Sequence, residues 1–411
     1  MTQCAKCGAC TTVCPLYQVT GREYMAARGK IHLLRKLPPA KASAAYAEIL
    51  SQCLLCGACA DACPRGIDPA ALIIEARAEM SRSAGKHFFL RHLTRKILAS
   101  PLLLKGVTSG LPLLQHLPGD SGLRLRLGLD ASAEALPAPP PNRPHPEKTA
   151  ATGTEEVNLF AGCFARYLEP RIIAANQRLL EKIGRSAALP EEQQCCGLAA
   201  CSAGDLDTAK KVARQNISAF TANSSPILTT CASCYKHLSS YPELFKDDPH
   251  WQAQAKRFAG RLLEFSSFFS AQPQLQKFFE GPPPAGPAKK VLYHDPCHLR
   301  FGPGVTLPPR QLLALIPSVQ LVELPHGPQC CGHGGLFHLG QPELSRQILT
   351  RLIDESRLTG AEIVTSTCSG CIMHWRQGLH LLETRTVVVK HLAILLAEAL
   401  GESADPVRKD S

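Results

Sequence analysis

The chain has 411 residues, 45% of them hydrophobic, which is too long for one core and enough apolar material for two to four globular domains. Its 19 cysteines, an odd number in a chain this long, exclude the disulfide framework of short secreted domains, and Cys4 stands almost at the start, where an export signal would lie. The expectation is a reducing cytoplasm; a net charge of +11 with only 6% aromatics and no basic run interleaved with them speaks against nucleic acid.

The charge is uneven. Residues 1–130 hold 17 Lys and Arg against 8 Asp and Glu, a basic surface suited to an acidic partner or to anionic lipid at the inner face of a membrane, or simply solvated. No segment reaches the roughly 20 uninterrupted apolar residues a membrane helix needs. The nearest, residues 106–119, is broken by Pro112 and Pro118.

The first elements are two cysteine runs. CAKCGACTTVCP carries Cys4, Cys7, Cys10 and Cys14, and CLLCGACADACP carries Cys53, Cys56, Cys59 and Cys63; each ends in proline. Both follow the C-x2-C-x2-C-x3-C-P pattern of bacterial ferredoxins. Three thiolates two residues apart wrap three corners of a cubane, and the fourth, redirected by the proline, reaches the neighbouring cluster. The expected ligand sets are therefore Cys4, Cys7, Cys10 and Cys63 for one [4Fe-4S] cluster, and Cys53, Cys56, Cys59 and Cys14 for the other. Zinc sites use two pairs and not a 3+1 run ending in proline. Between and after the runs, residues 26–37, 44–50 and 69–82 read as helices, so residues 1–85 are expected to form an all-α two-cluster domain.

Residues 86–150 follow as an apolar, basic connector that ends in the proline-rich linker LPAPPPNRPHP. An internal repeat then begins, with copies expected at 151–285 and 286–405 that meet near GPPPAGPAKK. In each copy a short apolar strand (157–160; 291–294) runs into a lone cysteine, Cys163 or Cys297, and an amphipathic helix follows. A Cys-Cys-Gly loop comes next, Cys195-Cys196-Gly197 or Cys330-Cys331-Gly332. A helix (206–220; 342–358) and a second strand (226–230; 362–367) lead to a C-x-x-C pair, Cys231 and Cys234 or Cys368 and Cys371. Adjacent cysteines rarely bond each other, because the joining peptide would be strained. Five sulfurs from three loops, twice over, read as ligands for something bound in duplicate. Strands separated by helices imply parallel pairing with right-handed crossovers, which collects the strand ends and their cysteines on one edge. The expected fold class is α/β, with an N-terminal all-α ferredoxin domain before two tandem parallel-sheet domains.

Two modules of the form C-xn-CCG-xn-C-x-x-C behind a two-cluster ferredoxin domain resemble the catalytic subunits of heterodisulfide reductases. In length, domain order and the ARGKI element at residues 27–31, the chain also resembles the iron–sulfur subunits of bacterial glycolate oxidases. The iron–sulfur subunits of lactate utilisation and anaerobic glycerol-3-phosphate dehydrogenase share the layout. The resemblance covers essentially the whole chain and all cysteines but Cys201, which is expected to be a buried small side chain. It implies a noncubane [4Fe-4S] cluster on Cys163, Cys195, Cys196, Cys231 and Cys234, and another on Cys297, Cys330, Cys331, Cys368 and Cys371. Both closing pairs are complete, whereas glycolate-oxidase-type subunits often lack one cysteine there.

No G-x-G-x-x-G fingerprint follows a strand, and Gly332, Gly334 and Gly335 sit among cluster ligands. Hydride removal from an alcohol is therefore assigned to a partner. The resemblance implies an FAD-containing subunit that oxidises glycolate or D-lactate and passes electrons through this chain to a quinone or another acceptor. A second reading makes the CCG clusters catalytic towards a disulfide, and a third makes them structural metal sites. His294, His298, His333 and His374 flank the second set as outer donors or packing groups and are not assigned as ligands. Arg300 and Lys236 read either as cations that balance cluster charge or, as the leading expectation, as solvated side chains.

Overall fold

The computed structural model describes residues 4–39, 43–80, 156–280, 286–382 and 386–401. The expected connector and proline-rich linker lie outside these residues, as do positions 281–285 between the two repeats.

The N-terminal region is helical. The helix expected at 26–37 spans Ala27–Lys36, that at 44–50 spans Ala44–Ser51, and that at 69–82 spans Pro69–Glu79. Pro69 stands in the first turn, where no N–H is needed, and the Asp68 carboxylate caps the helix by accepting from the amides of Ala70 and Ala71 at 2.9 and 3.2 Å.

Each repeat forms a four-stranded all-parallel sheet. The first has the order β2-β1-β3-β4, with β1 Glu156–Phe160, β2 Ser186–Ala188, β3 Ile227–Thr229 and β4 Leu262–Glu264. The second has the order β6-β5-β7-β8, with β5 Lys289–Tyr293, β6 Val319–Val322, β7 Ile363–Ser366 and β8 Val388–His391. The pattern of apolar runs reveals the central strands, which are buried on both faces, and misses all four outer ones. β2 is half-buried throughout and β6 is half-buried apart from the exposed Gln320, so neither presents the continuous apolar run of a doubly covered strand. His294, expected to close the strand at 291–294, lies one residue beyond β5.

The two sheets share one apolar core. Helix Arg171–Lys182 of the first unit buries Ile172, Ala175, Leu179 and Leu180 and packs against helix Leu392–Ala399 of the second. Reciprocally, helix Phe265–Ser270 of the first packs against helix Leu307–Ala314 of the second. The helical region docks on the second unit through Leu16, Met25, Leu54 and Ala58, which cluster with Phe337 and Ile348. Arg77 ties it to the first unit: its guanidinium donates to the carbonyls of Leu50 (2.7 Å), Cys53 (3.0 Å) and Ser202 (2.5 Å).

At that junction a Cβ on Gly204 would stand 2.5 Å from the Arg77 carbonyl carbon, and Gly204 has φ +84°. Backbone cannot yield as a side-chain tip can. Gly204→Ala is expected to destabilise the chain by about 1–3 kcal/mol, the usual cost of overpacking, measured as a lowered urea midpoint at unchanged slope.

Candidate metal centres

In the helical region, one cavity is lined by Cys4, Cys7, Cys10 and Cys63, and a second by Cys14, Cys53, Cys56 and Cys59; Cys59 also borders the first. Each run thus sends its fourth cysteine to the other run's cavity. The second cavity's lining includes no carboxylate, and burial pushes the Cys14, Cys56 and Cys59 thiols upward. Thiols that burial keeps protonated need a compensating cation to ionise, so four sulfurs, one buried and three half-buried, around an apolar space fit an iron–sulfur group.

Lys30 lines the second cavity and is 1% exposed. Its ammonium donates to the carbonyls of Met25 and, at 3.2 Å, Tyr24. Burial lowers its pKa, and the nearby Cys53 and Cys14 sulfurs oppose that fall.

In the parallel-sheet units the topology explains why cysteines converge. Cys163 and Cys297 follow the ends of β1 and β5, Cys231 and Cys368 follow β3 and β7, and the CCG loops follow β2 and β6. All lie at the carboxyl edge, where the strand order reverses between β1 and β3 and between β5 and β7 and leaves a crevice. Cys231 and Cys368 cap helices Ala232–Ser239 and Ser369–Leu381, whose N-terminal dipoles favour thiolates. Gly197 and Gly332 have φ of +90° and +86°, so the third residue of each CCG triplet must be glycine to turn without strain.

The loops are pinned by residues that the cysteine pattern did not reveal. Gln193 accepts from the Ala161 amide at 2.9 Å and donates to Leu159 O at 3.0 Å. Asn216 donates to Cys195 O at 3.0 Å, and the Tyr241 hydroxyl donates to Cys196 O at 2.7 Å. In the second unit Glu355 accepts from the His326 amide at 2.8 Å and from the Gln329 side chain, while Ser345 Oγ donates to Gly332 O at 2.9 Å. Arg300 donates to Pro328 O and Lys236 to Phe301 O at 2.9 Å, so both are held by backbone and are not the free solvated cations expected.

The sulfurs of the first set stand in hydrogen-bonding contact in the order Cys163, Cys195, Cys196, Cys234, Cys231. The row crosses to the second unit at Cys231–Cys368 and continues to Cys371 and Cys331. Ser233 Oγ reaches Cys368 Sγ at 3.2 Å across the same seam, and the Ala232 amide donates to Thr367 O at 2.8 Å. Cys297 pairs with Cys330, and Cys56 of the helical region stands beside both. Along the row, Cys195, Cys231 and Cys331 are held below the ordinary thiol value and the sulfurs beside them are pushed above it. Contacts with Cys163 and Cys196 hold Cys195 well below the ordinary thiol value, and the Cys371 contact does so for Cys331. The hydrogen bond with Cys231 pushes Cys368 up to about 12.

All eighteen predicted cysteines are thus drawn into these groups. Cys201 lies apart in helix Leu198–Ser202; it is half-buried rather than fully buried, and burial pushes its thiol up to about 11. His298 meets Ser233 Oγ at 2.9 Å, His374 meets Ser345 Oγ at 3.1 Å, and His333 stacks on His338, with ring centroids 4.2 Å apart. Burial pushes His298 and His338 down to about 4, which favours the neutral imidazole. His338 was not singled out from the sequence.

Among the described residues, no helix is long and apolar enough to cross a membrane. The 4Fe-4S dicluster domain family matches residues 1–67, and the CCG cysteine-rich domain family matches twice, at 157–239 and 291–376. The "Probable glycolate oxidase iron-sulfur subunit" of Bacillus subtilis (strain 168) is 29% identical over 430 residues, covering 98% of this chain and 94% of that protein. "Lactate utilization protein A" of Halalkalibacterium halodurans is 32% identical over 219 residues, covering 53% of this chain and 87% of that protein. The protein of the same name in Bacillus subtilis is 30% identical over 241 residues, covering 59% and 98%.

Proposed function

Because the chain belongs to the family of CCG-domain iron–sulfur proteins that includes glycolate oxidase iron–sulfur subunits and lactate utilization protein A, we propose that it is the electron-transfer subunit of a flavin-dependent 2-hydroxyacid dehydrogenase. A partner carrying FAD oxidises glycolate or a D-lactate-type acid, and a quinone or another acceptor receives the electrons. We assign two [4Fe-4S] cubanes to Cys4, Cys7, Cys10 and Cys63 and to Cys14, Cys53, Cys56 and Cys59, and up to two further clusters to the CCG sets. When bound, such clusters accept and release electrons one at a time.

The observation that carries the reading is the unbroken succession of sulfurs. Cys59 borders both N-terminal cavities, Cys56 stands beside Cys297 and Cys330, and Cys231 meets Cys368. The chain itself contributes the spacing of the sites and their shielding from water. The sequence offers no dinucleotide fingerprint, so the hydride step falls to the partner. The test is to purify the chain with its flavoprotein partner and assay glycolate- and D-lactate-dependent dye reduction. Flavin in the complex and acceptor reduction that requires this chain are expected; absence of both sinks the reading.

The direct contact of the two CCG sets at Cys231 and Cys368 also favours a second reading, a catalytic site for disulfide-type substrates. Rapid reoxidation of the reduced protein by a small disulfide supports it, and inertness to a panel of disulfides removes it.

Lys30 provides a further check. A buried cation beside a redox centre favours the more negative, reduced state. Lys30→Met is expected to lower the midpoint potential of the centre on Cys14, Cys53, Cys56 and Cys59 more than that of its neighbour, read by an EPR-monitored redox titration.

A further inference from the structure

The two CCG sets match cysteine for cysteine, yet their surroundings differ at one position that faces the sulfurs. Three residues before the lone cysteine the first unit has Phe160 and the second has His294. The positions correspond in three dimensions as well as in sequence. Thr230 N donates to Phe160 O beyond the β1/β3 pairing, and His294 N donates to Thr365 O beyond the β5/β7 pairing. The Phe160 ring lies beside Gly162 and Cys234 at the first set, since a Cβ on Gly162 would meet Phe160 Cε1 at 3.8 Å and Cys234 Sγ at 3.1 Å. The His294 imidazole occupies the corresponding place at the second.

His294 is 2% exposed, its Nε2 is buried with no oxygen or nitrogen partner among the described residues, and the group its ring meets is the Cys331 thiol. A donor atom of its ring, Cys331 Sγ and Cys371 Sγ all lie within 4.8 Å of one another. Trp375, fully buried, packs edge-on against the ring, with centroids 5.6 Å apart, and limits its rotation. A thiophilic or borderline metal bound by Cys331 and Cys371 would use that nitrogen, because Zn, Fe and Co accept mixed imidazole–thiolate sets.

We propose that His294 is a nitrogen ligand of the metal centre in the second CCG set, which makes that set a mixed imidazole–thiolate site while the first is all-thiolate. The proposal rests on the reading that the second set holds a metal centre. The imidazole is added to a complete set of five thiols, where the first unit has a phenylalanine ring, so the repeat is chemically unequal.

The test uses the full chain grown on 14N- or 15N-histidine and examined anaerobically by pulsed EPR in each paramagnetic state reached by redox titration. Iron-free full chain loaded with Co(II) is measured alongside; Co(II) also enters the all-thiolate sets, but these give no imidazole coupling. Iron and sulfide analysis reports separately whether clusters are present, so a failure of the cluster reading is distinguished from a failure at His294. The expected result is a directly bound nitrogen coupling that scales with the isotope and is lost in His294→Phe, which installs the first unit's residue. His333→Phe should retain it. His294→Asn serves if the phenylalanine variant does not fold. Absence of the coupling from both iron- and cobalt-loaded wild-type protein, or its persistence when His294 is replaced, overturns the proposal.

Discussion

Cys63→Ser is expected to empty the centre built on Cys4, Cys7 and Cys10, which stand some fifty residues away in sequence, and to leave loaded the centre built on its own run. Cys14→Ser should do the converse. The basis is the exchange of fourth cysteines between cavities, with Cys63 among the first triplet and Cys14 among the second. Each substitution should remove about four irons per chain, read by iron and sulfide analysis together with loss of one of two reduced-state EPR signals. If the clusters were local to each run, Cys63→Ser would instead silence the signal sensitive to Lys30→Met, because Lys30 lines the cavity of Cys14, Cys53, Cys56 and Cys59. The identity of the lost signal therefore decides between crossed and local ligation.

Glu169→Ala is expected to destabilise the chain by about 3–5 kcal/mol, the range for breaking a buried ion pair from one side. Glu169 is 1% exposed and joins the two parallel-sheet units, accepting from Arg171 Nε at 2.6 Å and from Arg376 Nη1 at 2.8 Å. Arg376 also donates to Val389 O at 3.1 and 3.2 Å, so removing the carboxylate leaves its charge buried and fixed at the seam. Burial opposes ionisation of Glu169, but the two guanidiniums more than offset it and hold the carboxyl below its ordinary value. A depressed folded pKa means the contribution is complete above the unfolded value, near 4.3, and is lost as pH falls through the folded one. The stability gap between wild type and Glu169→Gln should be constant from pH 7 to about 5 and close in more acid solution. Urea midpoints across that range measure it, and a gap that widens on acidification contradicts the assignment.

Much of the architecture is local and therefore readable. The two proline-terminated runs, the duplicated five-cysteine spacing and the apolar strands β1, β3, β5 and β7 are written in short windows. So are helices such as Pro342–Arg357, with proline in the first turn. The outer strands are not, because three or four residues without a continuous buried run, such as Ser186–Ala188 or Val388–His391, become strands only when a central strand offers its edge. The anchoring of Arg300 and Lys236 is hidden from the sequence for a similar reason: the carbonyls that hold them, Pro328 and Phe301, belong to loops whose position depends on packing.

Sequence alone determined which residues are thiols, how they are grouped in two ferredoxin-like runs and two CCG sets, and hence the class of metal chemistry, since ligand type and spacing are covalent properties of the chain. Tertiary structure decided which groups meet: Cys56 beside Cys330, Cys231 against Cys368, Glu169 between Arg171 and Arg376, and His294 facing Cys331 where its counterpart is Phe160. Those encounters join residues from separate folded units. They depend on how buried faces of whole helices and sheets pack, which no local spacing encodes.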